Sequence, residues 1–267
     1  MNKDKALFRL EREKLLLTGE IPRLFMKYAL PGVAGLLFLG IQSVIDGIVL
    51  GRFVGANALA SVNLVLPCYS LISAFAIVMG IGGQTLVSIS LGRGDKQEAN
   101  NALRSVFVFL LGMSVVVSLV IFLSAGKIAS FLGANEVLLP DAVHYIRALV
   151  PFFPLLCAMF FGDYIIKAMG HPLYATSVMG MTVVLNIVLD LVFVAVLGWG
   201  VMGAGLATGI AFTMGACFNV PRLFSCHEVV AVQRGRYDRR LVWNAFYNGS
   251  SEGMSELSVA ITVFLFN

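Results

Sequence analysis

The sequence predicts an all-α integral membrane protein, a bundle of six membrane-spanning helices followed by the start of a seventh. Three observations predict it. Hydrophobic residues make up 58% of the chain and charged residues only 13%, whereas soluble domains carry about 25% charge. Apolar runs of the length a bilayer requires, about 20 residues, recur near 24–50, 59–83, 103–125, 146–168, 174–197 and 200–222. Between them lie short connections rich in turn formers: Gly51 to Asn57, Gly92 to Asn101, Gly126 to Asp141, Gly170 to Pro172, and Gly198 to Gly200.

Residues 1–23 read as a cytoplasmic segment in which Leu7, Leu10, Leu15 and Leu17 share a helical face. The six spans fill 24–222 as one lobe, and no soluble domain fits between them. A longer link, 223–244, carries Arg234, Arg236, Arg239 and Arg240 and reads as a cytoplasmic linker between lobes. A seventh apolar segment, 245–267, is still running at Asn267 and reads as a truncated helix.

The distribution of basic residues sets the orientation. With the amino terminus inside, the inner segments hold Arg93, Lys96, Arg104, Lys167, Arg222 and the linker arginines, besides the basic residues of 1–23. The outer loops hold Arg52 and Lys127. An inside bias of about five to one predicts a multi-pass protein of the cell membrane with a cytoplasmic amino terminus. The net charge of +4 is thus a topology signal and not a nucleic-acid footprint.

Motifs for chemistry are missing. His144, His171 and His227 are scattered, no Walker A or HExxH string occurs, and Cys68, Cys157, Cys217 and Cys226 lack CxxC spacing. The chain therefore reads as a non-enzyme without cofactor or metal, its cysteines packed as free thiols.

What remains informative is the set of ionisable groups inside apolar runs, each costing roughly 2.5 to 3.5 kcal/mol at a helix centre. Asp46 lies late in the first span with Gln42 one turn earlier, and Asp190 lies in the fifth with Asn186 one turn earlier. At the helical rise the two carboxylates fall about 6 and 10 Å inside the outer helix ends. Thr208 of the sixth span falls at a similar depth, and Tyr145 lies at the outer mouth of the fourth. These groups read as the lining of a polar cavity in the outer half of the bundle, able to take up a proton or bind Na⁺. The alternative is polar packing between helices.

Asp163, one turn before Lys167, reads as a structural ion pair at the inner interface. Glu252 and Glu256, among serines at the start of the seventh segment, suggest a second polar cavity. Pro31, Pro151 and Pro154 mark helices able to bend, and Gly80, Gly82 and Gly83 permit close helix approach.

The strings Ile21-Pro22, Ala29-Leu30-Pro31, VIDGIVLGRFVGANALASVNLVLP, GIGGQTLVSISLGRGDKQEAN, KAMGHP and VVLNIVLDLVFVAVLGWGVMGAGLAT resemble the multidrug and toxic compound extrusion (MATE) family. The likeness is greatest to its DinF-like and MepA-like prokaryotic branch and covers essentially the whole chain. It implies the amino-terminal lobe of a twelve-helix transporter that exports organic, often cationic, compounds by alternating access in exchange for H⁺ or Na⁺. By the matching motifs, Asp46 and Asp190 would be the coupling carboxylates, with Gln42, Tyr145, Asn186 and Thr208 around them. Some relatives carry Tyr where this chain has Gln42. The placement of Glu252 and Glu256 is similar to that of an acidic cation-binding residue in other branches, and the carboxy-terminal lobe is missing from this sequence. A lipid-linked oligosaccharide flippase shares the architecture but calls for a cationic cavity, and a truncated, non-transporting polypeptide is a third reading.

Overall fold

A computed structural model describes residues 21–225 and 228–266. The expected face on Leu7 to Leu17, together with Cys226 and His227, lies outside the described residues. All regular structure among them is helical. The order is α1 (Ile21–Phe53), α2 (Ala56–Gly92), α3 (Lys96–Leu123), a short α4 (Ala125–Phe131), α5 (Leu139–Leu149), a 3₁₀ turn (Val150–Phe152), α6 (Phe153–Ala168), α7 (Pro172–Asp190), a π segment (Leu191–Val196), α8 (Gly200–Leu223), a 3₁₀ turn (Val232–Arg234) and α9 (Arg239–Phe266).

Among the described residues, six stretches are long and apolar enough to cross a bilayer: Ala29–Phe53, Ala56–Gly92, Lys96–Leu123, Leu139–Ala168, Pro172–Val196 and Gly200–Leu223. Within its most apolar 18 residues the third has the highest mean hydropathy, 3.0, yet only 28% of them are buried, whereas the corresponding 18 residues of the fourth, at 1.9, are 72% buried. Such an inversion fits a chain whose solvent is lipid, because apolar side chains need no protein partner there. The fourth span, α5 to α6, is the centre of the bundle. Phe161 of α6 lies 5.5 Å from Phe107 of α3, and Phe160 lies 5.5 Å from Phe212 of α8, ring centre to ring centre.

Prolines explain how that span is broken and repaired. Pro154 has no N–H for the Val150 carbonyl one turn back, and the chain tightens into the 3₁₀ turn at Val150–Phe152. The Val150 carbonyl accepts the Phe153 N–H of that turn and a second hydrogen bond from Ser118 Oγ of α3 at 2.6 Å. A backbone N–H and a hydroxyl on a neighbouring helix thus replace the α-helical bond that the proline removes.

Helix limits differ from the sequence reading where short-range capping outweighs hydropathy. The third helix starts at Lys96 and not near 103, because Asp95 caps it by accepting from the Glu98 N–H at 2.8 Å. The fourth span starts at Leu139, which puts Tyr145 well inside the helix and not at its mouth. The expected outer connection from Gly126 to Asp141 contains the short helix α4. The seventh helix starts at Arg239, inside the segment assigned to the linker, because the Asp238 carboxylate accepts from the Arg240 N–H at 2.8 Å.

At the linker end of the bundle, Glu228 binds both Arg222 Nε and His171 Nε2 at 3.3 Å, tying the α6–α7 turn to the start of the linker. Lys167 Nζ meets Asp163 Oδ2 at 2.5 Å, the ion pair that the i, i+4 spacing implied. Cys68, Cys157 and Cys217 are free thiols.

Candidate functional site

Helices α1 and α7 run side by side in the same direction, and their register places the site. Thr176 Oγ1 donates to the Pro31 carbonyl at 2.9 Å. Less than two turns on, a β-carbon built on Gly180 would lie 3.0 Å from the Phe38 ring. Carried along the two helices, this register sets Gln42 and Asp46 of α1 against Asn186 and Asp190 of α7. The Asp46 and Asp190 carboxyl groups lie within hydrogen-bonding reach of one another, with Gln42 beside Asp46 and Asn186 beside Asp190.

Burial is deep on the α7 side, where Asp190 is 1% exposed and Asn186 fully buried, while Asp46 is half-buried. Asn186 Nδ2 donates to Thr208 Oγ1 of α8 at 3.3 Å. Five oxygens of the cluster, Gln42 Oε1, Asp46 Oδ1, Asn186 Oδ1 and both carboxyl oxygens of Asp190, are buried with no hydrogen-bond donor among the described residues. Buried polar atoms are normally satisfied. A group of acceptors facing one another without donors is an arrangement that a proton or a small cation completes.

Tyr145 of α5 closes the cluster from another side, close enough to Tyr69 of α2, Asp46 and Asp190 to interact electrostatically with each. Behind it, an apolar cavity between α2 and the α5–α6 span is walled by Val65, Cys68, Tyr69, Tyr145, Leu149 and Phe153. Carboxylates and an aromatic, apolar chamber thus share Tyr145 as a wall. Among the described residues no three His, Cys, Asp or Glu side chains gather as a metal site.

All six residues singled out for the outer cavity, Gln42, Asp46, Tyr145, Asn186, Asp190 and Thr208, are brought together from four helices. Glu252 is elsewhere, exposed on α9, and the Glu256 side chain lies outside the described residues. Two features had no sequence signal strong enough to find them. Tyr69 is one hydroxyl in an apolar run, and the π segment begins at the residue after Asp190. Its wider turn is carried by the Leu197 N–H donating to the Val192 carbonyl at 2.8 Å, and it ends where Gly198 and Gly200 take positive φ of 67° and 58°. π turns are rare and concentrate at functional sites.

The model of the MatE family matches residues 31–192, a stretch that contains both carboxylates. The chain belongs to this family. MatE proteins are transporters, not enzymes. The chain is 24% identical over 230 residues to the multidrug export protein MepA of Staphylococcus aureus, covering 86% of this chain and 50% of that protein. MepA of Staphylococcus haemolyticus is also 24% identical, over 218 residues, covering 82% and 47%. The chain therefore spans about half the length of the curated relatives it matches.

Solved structures of MatE relatives agree on the fold. A transporter of the MOP superfamily from Pyrococcus furiosus, described as having a binding pocket of reverse polarity, superposes with a TM-score of 0.85 at 25% identity, over 94% of this chain and 56% of that one. An outward-facing multidrug resistance transporter of the family superposes at 0.84 and 25% identity over 90% and 54%. An inward-facing one gives 0.78 at 26% over 84% and 51%. The chain is thus the first half of a MATE fold.

Proposed function

We propose that this chain is the cation-coupling lobe of a secondary active multidrug exporter in the cell membrane, its amino terminus cytoplasmic. The observation that carries the reading is the set of five donorless acceptor oxygens on facing helices, centred on Asp46 and Asp190. H⁺ or Na⁺ is the coupling ion, held between the two carboxyl groups with Gln42 and Asn186 as amide ligands and Thr208 as a support for Asn186. With the cation bound, the two carboxylates are bridged and α1 is held against α7. Without it, two like charges face one another in a poorly hydrated site and drive the helices apart. A ligand that favours one of the two arrangements shifts the balance between them, which is the requirement for coupled transport.

The substrate class is organic and often cationic. The apolar, aromatic cavity behind Tyr145 suits the body of such a compound, and the neighbouring carboxylates suit its charge. The carboxylates and amides speak against a pyrophosphate-linked substrate, which needs a basic cavity. A complete exporter contains a second lobe, and the linker with α9 leads toward it.

The test is ethidium efflux by the full-length protein carrying Asp46→Asn or Asp190→Asn. Either variant should reach the membrane at the normal level and lose cation-driven efflux to background. Efflux at the unsubstituted rate in either variant refutes the assignment, and comparison of an imposed pH gradient with an imposed Na⁺ gradient identifies the ion.

A further inference from the structure

The linker between α8 and α9 is not a loose tether. Five side chains at the start of α3 hold its backbone: Asn100 Oδ1 accepts from the Ala231 N–H at 2.8 Å, and Asn101 Oδ1 accepts from the Arg236 N–H at 2.6 Å. Ser105 Oγ accepts from the Asp238 N–H at 2.8 Å, Arg104 Nη1 donates to the Gly235 carbonyl at 3.2 Å, and Gln97 Nε2 donates to the Arg234 carbonyl at 3.3 Å. Gly235 is pressed so closely on α3 that a β-carbon there would lie 2.1 Å from the Asn100 carbonyl oxygen. Residues 231–238 are therefore a strap fastened across the end of the third span.

The strap is basic. Residues 93–105 and 231–240 together hold Arg93, Lys96, Arg104, Arg234, Arg236, Arg239 and Arg240 against Asp95, Glu98 and Asp238. Arg236, Arg239 and Arg240 are exposed, and no ion pair engages them among the described residues. Immediately beyond them on α9 come Trp243, 71% exposed and stacked on Phe246, and Tyr247, 75% exposed. Arginines at a helix start followed by Trp within one turn and Tyr within about two mark the depth of the headgroup region.

We propose that this strap is a binding site for anionic phospholipid headgroups of the leaflet on the linker side, with Arg236, Arg239 and Arg240 contacting the phosphates. A flexible basic loop only biases topology, whereas arginines on a fastened backbone present a fixed set of donors to which a diacyl phosphate can bind with little ordering cost. The neighbouring aromatic rings of α9 flank the acyl chains. This site is separate from the carboxylate cluster, which lies toward the opposite membrane face.

The two tryptophans of the chain make the test local. Trp243 is beside the strap, and Trp199 lies at the other end of α8. The full-length protein, with any tryptophan beyond this sequence also replaced, is placed in nanodiscs of phosphatidylcholine and phosphatidylglycerol in which one or the other lipid is brominated. Quenching is then read from Trp243 alone, in a Trp199→Phe background, and from Trp199 alone, in a Trp243→Phe background. Each arginine near an anionic surface contributes roughly a fivefold preference. Trp243 should be quenched preferentially by brominated phosphatidylglycerol, and Arg236→Gln, Arg239→Gln and Arg240→Gln together should bring the ratio to near one with thermal stability unchanged. Equal quenching of Trp243 by the two lipids, survival of the preference in the triple variant, or the same preference at Trp199 overturns the proposal. No transport is measured, so the result stands apart from that of the efflux test.

Discussion

Replacing Gly82 by Ala tests the close approach of α2 to α9. A β-carbon at Gly82 would lie 1.8 Å from the Ala245 carbonyl oxygen and 2.9 Å from the Ala245 Cα, and one at Gly249 would lie 2.0 Å from the Val78 carbonyl oxygen. Real β-carbons essentially never come within 3.0 Å of another heavy atom, so the helices must part by about 1 Å to admit one methyl group, undoing packing along the contact. The obstacle is backbone, which cannot rotate away as a side chain can. Overpacking of this kind costs about 1–3 kcal/mol. Gly112 of α3 is the control, because a β-carbon there meets nothing within 4 Å and Ala in a helix interior gains about 0.5–1 kcal/mol over Gly. Because that gain is common to both helix-interior positions, thermal or denaturant unfolding of the purified protein in detergent should separate the two substitutions by the overpacking cost alone, about 1–3 kcal/mol, with Gly82→Ala the less stable. Equal stability of Gly82→Ala and Gly112→Ala refutes the close approach of α2 and α9.

Ser118→Ala removes the hydroxyl bonded to the Val150 carbonyl and should cost about 0.5–1.5 kcal/mol, the worth of one hydrogen bond, since the Phe153 N–H still serves that carbonyl, while Ser118→Thr keeps most of the stability in the same assay. Lys167→Met leaves Asp163, 2% exposed, without its counter-ion; it should destabilise by about 3 kcal/mol, and adding Asp163→Asn should recover a large part of that loss. Asn100→Ala with Asn101→Ala unfastens the linker, so limited trypsin should cut after Arg234 and Arg236 faster than in the unsubstituted protein. An unchanged cleavage rate would mean that the side-chain bonds to the linker do not hold it.

Much of the architecture was legible because a bilayer imposes simple rules. Each span must be apolar for about 20 residues and satisfy its own backbone, so hydropathy found the six helices, and the cost of a charge in lipid singled out Asp46 and Asp190. Their amide neighbours were legible as well, since i, i+4 residues share a helix face. Ends of helices were less so. Capping by Asp95 and Asp238 moved two helix starts into segments that hydropathy assigned to loops, because one carboxylate can satisfy an N-terminal N–H irrespective of how apolar the following turn is.

By itself, then, the sequence determined which residues cross the membrane and which polar groups had to find a purpose there, since both follow from the local free energy of placing a side chain in lipid. Only the tertiary structure decided what those groups face. The register of α1 on α7, set by contacts such as Thr176 with Pro31, brings the two carboxyl groups face to face; the π turn after Asp190, the Tyr69 wall and the fastening of the linker to α3 depend on neighbours distant in the chain. Hydropathy is a property of one helix, whereas a cluster of acceptors is a property of the packing between several, and it forms only when their relative shifts are fixed.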